Sequence, residues 1–338
     1  MAIQWYPGHM HKAQKAIREV LPQVDLLIEV LDARIPYSSE NPAIAEIRGD
    51  KPCIKVLSKT DLADPAVTAA WQEYLEQERG VKTFATTTEQ PGRIKLLVDL
   101  CRKMLPEKEA GAKNINAMIV GIPNVGKSTI INTLAGRVVA KTGNEPAVTK
   151  DQQRINLGSG VVLLDTPGIL WPKIENPNSS YRLAATGAIK NTAMEYDDVS
   201  FFVAEYLIKA YPELIQAHFQ LEYLPSTELE FLEMAGARRG ALRAGGKVNL
   251  HKICEVLINE LRSGKLGLIS LETPALVAQE KIAIAEAKAR KEAENAERKK
   301  RFKDGSRNSD RVDRKEQKNQ PPAPSKGTGS RNHPRKKK

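Results

Sequence analysis

Lys127 and Ser128 stand directly behind a loop whose glycines, Gly121 and Gly126, are five residues apart, and the apolar run Ala117-Met118-Ile119-Val120 leads into it. A helical pattern follows, with Thr129, Ile130, Ile131 and Leu134. A strand, a glycine loop and a helix in that order make a phosphate site. The glycines allow backbone conformations that aim several N–H groups at one point, and a helix beginning at Lys127 adds the positive end of its dipole. In that geometry Asn124, Val125, Gly126, Lys127, Ser128 and Thr129 form the cradle. Lys127 reaches β- and γ-phosphate oxygens, and the Ser128 hydroxyl holds Mg²⁺.

The base is read elsewhere. Ser58-Lys59-Thr60-Asp61 follows the apolar run Cys53 to Leu57, in the pattern by which GTPases recognise guanine. The Asp61 carboxylate accepts from N1–H and N2–H, a donor pair adenine lacks, while the Lys59 stem packs over the ring. Ser58 replaces the usual Asn of that pattern, which removes one contact to the base and some bracing of the loop. Thr86-Thr87 resembles the loop whose backbone N–H meets the guanine O6. Asp165-Thr166-Pro167-Gly168 comes 37 residues after Ser128. There the carboxylate reaches Mg²⁺ through water and the Gly168 N–H senses the γ-phosphate. Thr149, between the two, supplies the second hydroxyl to Mg²⁺ when GTP is bound. Together these favour GTP over ATP.

The motif order is inverted, because the guanine motif precedes the phosphate loop by about sixty residues. A permuted chain builds the same sheet when the original termini lie close together. The expected fold is therefore α/β, a circularly permuted P-loop GTPase domain with a doubly wound, mostly parallel sheet. Val24 to Leu31 and Cys53 to Leu57 read as strands buried in such a sheet. Helices are expected at Pro65 to Glu78 and Gly92 to Met104, with a strand at Lys82 to Ala85 between them, and a hairpin at Gln152 to Leu157 and Val161 to Leu164 turning at Gly158-Ser159-Gly160. Beyond about Pro177 the patterns are helical: Phe201 to Tyr211, Pro212 to Phe219, Thr227 to Ala237 and Asn249 to Ser263. The expected domains are 1–176, the permuted GTPase domain; 177–273, a small all-α domain; and 274–338, a basic tail, helical to about Phe302 and disordered after it. The loop leaving Asp165 then runs into the helical domain, so the γ-phosphate state can set that domain's orientation.

Composition agrees with a globular body and an appendage. The chain has 338 residues, 41% of them hydrophobic, and a net charge of +11. Residues 279–338 hold 20 of the basic and 9 of the acidic residues, leaving 32 of each in the body. The excess therefore lies in the tail, where a polyanion is attracted. Arg238, Arg239, Arg243 and Lys247 form a second basic patch. Cys53, Cys101 and Cys254 are too scattered for a zinc site or a disulfide framework. No run is apolar enough to span a bilayer and the N-terminus lacks a signal pattern, so a cytoplasmic protein without membrane partners is expected.

Trp5-Tyr6-Pro7-Gly8-His9-Met10, the inverted order and Asp165-Thr166-Pro167-Gly168-Ile169-Leu170-Trp171-Pro172-Lys173 resemble the circularly permuted GTPases of the ribosome-biogenesis GTPase A family over about residues 3–270. The resemblance implies a factor that binds a late precursor of the bacterial large ribosomal subunit, its rRNA and proteins, promotes its maturation and leaves after GTP hydrolysis; a monomer is expected. It also implies a catalytic His at His9. Ile169, where many GTPases have a water-orienting Gln, can neither donate nor accept; His9 either takes that part, or caps the first helix or contacts rRNA. Asn124 stands where related GTPases hold K⁺; the alternative is a loop-stabilising residue. A GTP-regulated RNA-binding switch not dedicated to the ribosome stays open. So does a nucleotide-dependent enzyme modifying a small substrate, although no nucleophile and base occur together, which speaks against it.

Overall fold

The computed structural model describes residues 17–111, 113–140, 153–166, 168, 174–189 and 195–318, with backbone alone at 109 and from 299 onward. The chain divides into two compact units, Met1–Lys281 and Ile282–Lys338. The first is built on a six-stranded sheet in the order β3-β2-β1-β4-β6-β5. Its strands are β1 (Leu26–Asp32), β2 (Cys53–Ser58), β3 (Val81–Ala85), β4 (Ile115–Gly121), β5 (Gln153–Asn156) and β6 (Val161–Asp165). All pairings are parallel except that of β5 with β6. Every residue of β1 and β2 is buried, which is why both read as apolar runs interrupted inside the strand only by Glu29 and Lys55. In β5 only Ile155 is buried, as suits the last strand of the sheet among the described residues.

Connection direction assigns the helices to faces. The steps from β1 to β2 and β2 to β3 run one way across the sheet, and those from β3 to β4 and β4 to β6 run the other. Right-handed crossovers of opposite direction place their helices on opposite faces. Helices Pro42–Arg48 and Pro65–Leu75 thus share one face, and Pro91–Met104 and Lys127–Ala135, which pack on each other, share the second. Beyond β6 no further strand occurs among the described residues. Helix Tyr196–Ala210 is the axis of a bundle with Pro177–Ala185, Pro212–Phe219, Glu228–Arg238 and Leu250–Ser263.

Several elements depart from the sequence expectation. Pro42–Arg48 and Pro177–Ala185 were not expected as separate helices; each has Pro at its start, and the Asn41 and Asn176 side chains accept from Ala43 N and Asn178 N. Helix Tyr196–Ala210 begins five residues before the expected Phe201. The last helix, Pro274–Lys318, runs past Phe302 and through Gly305. In the second unit its described side chains are exposed apart from a half-exposed Ile284, so this stretch is a polar helix without a buried stripe. Met10, Ala13, Ile17 and Leu21 recur at helical spacing and predict an amphipathic helix within residues 1–22; of it the structure describes only the part from Ile17.

One buried acid in the sheet carries a pH signature. Glu29 is 2% exposed in β1; burial, then Glu40, push its carboxyl up to about 8 against a pull from Lys55. A carboxyl raised in the folded state stabilises below its unfolded value and loses that contribution as pH climbs through the folded one. Unfolding free energy is therefore expected to fall between pH 5 and 8 with a slope of at most about 1.4 kcal/mol per unit from this group. Denaturant titrations of Glu29→Gln across that range should show a flatter profile than the wild type.

Candidate nucleotide site

Because β1, β2, β3, β4 and β6 are parallel, the loops after them open on one edge of the sheet. The direction of chain progress reverses between β1 and β4, and such a reversal leaves a crevice outside the carboxyl ends of the strands. The phosphate loop leaves β4 into that crevice, the guanine motif leaves β2, Thr86-Thr87 leaves β3, and Asp165 ends β6.

Gly126 adopts a φ of +89° as the residue before helix Lys127–Ala135, the left-handed conformation for which glycine is suited. Gly121 does different work from that expected. A Cβ there would lie 2.8 Å from Val30 O and 3.1 Å from Val125 Cγ2, so it lets the loop turn tightly against β1. The Ile130 N–H donates to Gly126 O, the start of the helical ladder. The preceding N–H groups of Lys127, Ser128 and Thr129 belong to the first turn, which has no intrahelical acceptors, and so face the cradle. Gly168 packs against this loop as well, since a Cβ on it would meet Pro123 N at 3.2 Å.

Lys127 Nζ forms a buried ion pair with Asp165 Oδ1. Burial pulls the lysine below its usual range, with Asp165 opposing. Asp165 is fully buried, and its Oδ2 has no hydrogen-bond partner among the described residues. An orphaned carboxylate oxygen in a polar crevice is costly unless a cation or water meets it. With the half-buried Ser128 hydroxyl at the helix start, this donor set fits a hydrated Mg²⁺. Thr149 and His9 lie outside the described residues, as does Ile169.

The guanine half adjoins the phosphate half through Ser58. Its Oγ lies 2.8 Å from Leu31 O and 2.6 Å from Val125 O, with the residue 1% exposed. The bracing expected to be lost with the Asn is thus supplied by a hydroxyl. Thr60 N donates to Thr86 O, and Thr86 and Thr87 are both buried, so the third loop touches the second. Lys59 has a φ of +57°, and its ammonium donates to Asp32 Oδ2 at 2.9 Å. Asp61 follows, partly exposed and close enough to act on Lys59. Ser58→Ala would leave a loop carbonyl unsatisfied, a cost of about 1–3 kcal/mol. Lower apo stability in denaturant and a several-fold weaker GDP titration are the expected results.

Sequence reasoning did not find how the helical bundle reaches these loops. Asn124, at φ +62°, donates from Nδ2 to Gly187 O at 2.8 Å, just after helix Pro177–Ala185. Past helix Leu250–Ser263 the chain crosses the guanine loop. Ile269 N donates to Leu62 O, Asp64 N to Ser270 Oγ, Leu271 N to Arg34 O, and Trp71 Nε1 to Glu272 O. Glu272 is fully buried; burial raises its carboxyl, while Arg182 and Ser38 counter that. The same Arg182 forks onto Glu280 at 2.9 and 2.6 Å. A separate cavity of about 670 Å³, lined by Tyr37, Glu40, Lys55, Tyr74, Glu78 and Lys281 among others, shares no residue with the nucleotide loops.

Residues 116–227 match the family model described as "50S ribosome-binding GTPase". The chain is similar to ribosome biogenesis GTPase A of Priestia megaterium, 44% identical over 283 residues, covering 81% of this chain and 98% of the relative. It is also similar to ribosome biogenesis GTPase A of Thermotoga maritima, 32% identical over 272 residues, with 80% and 95% covered. Among solved structures, GDP-bound TM YlqF aligns with a TM-score of 0.56 at 27% identity, covering 77% of this chain and 99% of that one. GNP-bound YlqF from T. maritima aligns at 0.53 and 28%, with 78% and 98% covered.

Proposed function

The chain belongs to the ribosome biogenesis GTPase A family, and from that premise we propose a GTP-hydrolysing factor for late maturation of the bacterial large ribosomal subunit, stimulated by the particle it binds. The observation that carries the nucleotide part is the Ser58 hydroxyl bridge to Val125 O, which fastens the base-reading loop to the phosphate loop across 67 residues of sequence. One guanine nucleotide then spans both. Asp61 takes the N1–H and N2–H of the base, Lys59 covers its face, and the Thr86-Thr87 backbone meets O6.

At the phosphate end Lys127 must trade Asp165 for phosphate oxygens, which leaves the carboxylate to the metal shell together with Ser128 and Thr149. Mg²⁺, when bound, neutralises charge on the β- and γ-phosphates. Gly168 N–H meets the γ-phosphate, and because Gly168 rests on Pro123 the loop after it is sensitive to that oxygen. His9 orients the attacking water, a task an imidazole performs without being a strong base. Asn124 offers an amide oxygen suited to K⁺, which would add positive charge beside the leaving group. Turnover is accordingly expected to be several-fold faster in K⁺ than in Na⁺; equal rates at matched ionic strength would count against a K⁺ site.

rRNA contacts are assigned to the basic tail and to the turn at 241–249. Arg238 and Arg239 are engaged by Glu222 and Glu260. The exposed Arg243 and Lys247, joined by a bond from Arg243 N to Lys247 O, are left to meet phosphate. Work in the cytoplasm as a monomer is part of this proposal; among the described residues no helix is long and apolar enough to cross a membrane. The test is GTP turnover with and without purified large subunits and their precursors. Strong stimulation is expected; an unchanged rate with both particles would reject the ribosomal role while leaving GTP binding intact.

A further inference from the structure

We propose that Asp32 and Arg34 are positioning residues for guanine recognition, acting through Lys59. The inference rests on the assignment of Lys59 and Asp61 to the base. Asp32 ends β1 and is 2% exposed; Arg34, two residues on, is 1% exposed. The Asp32 carboxylate accepts from Arg34 Nε at 2.9 Å, Arg34 Nη2 at 2.8 Å, the Arg34 backbone N–H at 3.1 Å and Lys59 Nζ at 2.9 Å. Burial would raise this acid, but Arg34 and Lys59 outweigh it and hold the carboxyl well below the usual range.

The arrangement fixes a side chain that is otherwise mobile. A lysine stem carries four rotatable bonds, and placing it over a ring costs rotamer entropy at the moment of binding. Here both ends of Lys59 are set before the nucleotide arrives: its backbone stands in the left-handed region and its ammonium is anchored on Asp32. Lys59 alone could not justify a buried carboxylate, which is costly without full hydrogen bonding. Arg34 satisfies it with a planar fork and stays charged at any working pH. Arg34 is itself fixed, since its carbonyl accepts from Leu271 N at 2.8 Å and its Nη1 lies 3.5 Å from Leu261 O. The anchor of the base-covering lysine is therefore continuous with the helical bundle.

A purely structural pair would give a different signature. GDP and inosine diphosphate are titrated into wild type, Asp32→Asn, Asp32→Asn with Arg34→Gln, Lys59→Met, and Lys59→Met with Asp32→Asn. Inosine lacks the exocyclic amine that Asp61 reads, whereas the lysine stem covers either purine. Asp32→Asn is expected to weaken both ligands by the same factor, about tenfold, the loss of one charge-assisted anchor. The preference for GDP should persist, and the substitution should cost nothing further in the Lys59→Met background. The Asp32/Arg34 double variant, which does not leave Arg34 as a fully buried cation without its carboxylate, should behave likewise should the single one fold poorly. Unchanged affinities, or an equal loss in the Lys59→Met background, would overturn the proposal. Wild-type affinity in Lys59→Met would overturn the assignment of Lys59 to the base, a separate failure.

Discussion

Asp61→Asn is expected to weaken GTP and GDP binding by roughly 10²–10³-fold and to make xanthosine nucleotides the better ligands. Guanine offers two adjacent donors, N1–H and N2–H, to one carboxylate. An amide can accept only one of them, and its NH₂ then faces the exocyclic amine, donor against donor. Xanthine carries a carbonyl at that carbon, so the same amide pairs with it twice. The neighbouring elements should not move, because Asp61 is partly exposed and the loop is held by Ser58, Thr86 and Ile269 instead. Competition titrations with GDP, XDP and ADP read the swap directly. Loss of all binding without gain of XDP would show that the carboxylate supports the loop rather than reads the base.

Lys127→Ala should lower GTP turnover by roughly 10²–10³-fold, the scale of removing a fixed positive donor from developing phosphate charge. It has a second effect that the buried ion pair dictates. Asp165 is fully buried beside Lys127, so removing the cation leaves an uncompensated carboxylate, worth about 3–5 kcal/mol of destabilisation in the free protein. Mg²⁺ with GDP supplies charge at that place, so ligand should restore more stability to the variant than to the wild type at saturating concentration. Denaturant melts with and without Mg·GDP measure this. The double variant Lys127→Met with Asp165→Asn separates the two effects: it should recover apo stability while turnover stays lost.

Much of this site was legible because parallel sheets write plainly. β1, β2 and β4 are almost wholly buried, so their sequences are largely apolar, broken by Glu29, Lys55 and Asn116 alone before their ends, and the loops carrying chemistry begin where those runs stop. The inverted order of Lys59-Asp61 and Gly121-Ser128 then required the permuted sheet that β4, between β1 and β6, displays. Helices Pro42–Arg48 and Pro177–Ala185 carried a local signal, Asn before Pro as cap and first residue, but they are short and lack a long apolar period. The extent of helix Pro274–Lys318 was understated because Gly305 reads as a break.

Other features depend on tertiary contact. Asp32-Ala33-Arg34 reads as a strand end; only the fold brings Lys59 to it. The role of Ser58 is equally hidden, since a hydroxyl that braces a loop 67 residues away looks in sequence like a lost Asn. The passage of residues 269–272 over Leu62, Asp64 and Trp71 follows no periodicity at all. It nevertheless gives the helical bundle a grip on the base-reading loop, with Asn124 to Gly187 as a second grip on the phosphate loop. On the proposed reading, changes at either end of a bound nucleotide would have a short route into that bundle.

The measurement that bears most directly on the convergence of the two loops is a structure of the protein with Mg²⁺ and a non-hydrolysable GTP analogue. One nucleotide should have its base N1 and N2 on the Asp61 carboxylate and its β- and γ-phosphates on Lys127 Nζ. A base lying away from Asp61 while Lys127 holds the phosphates would contradict the reading of the permuted site.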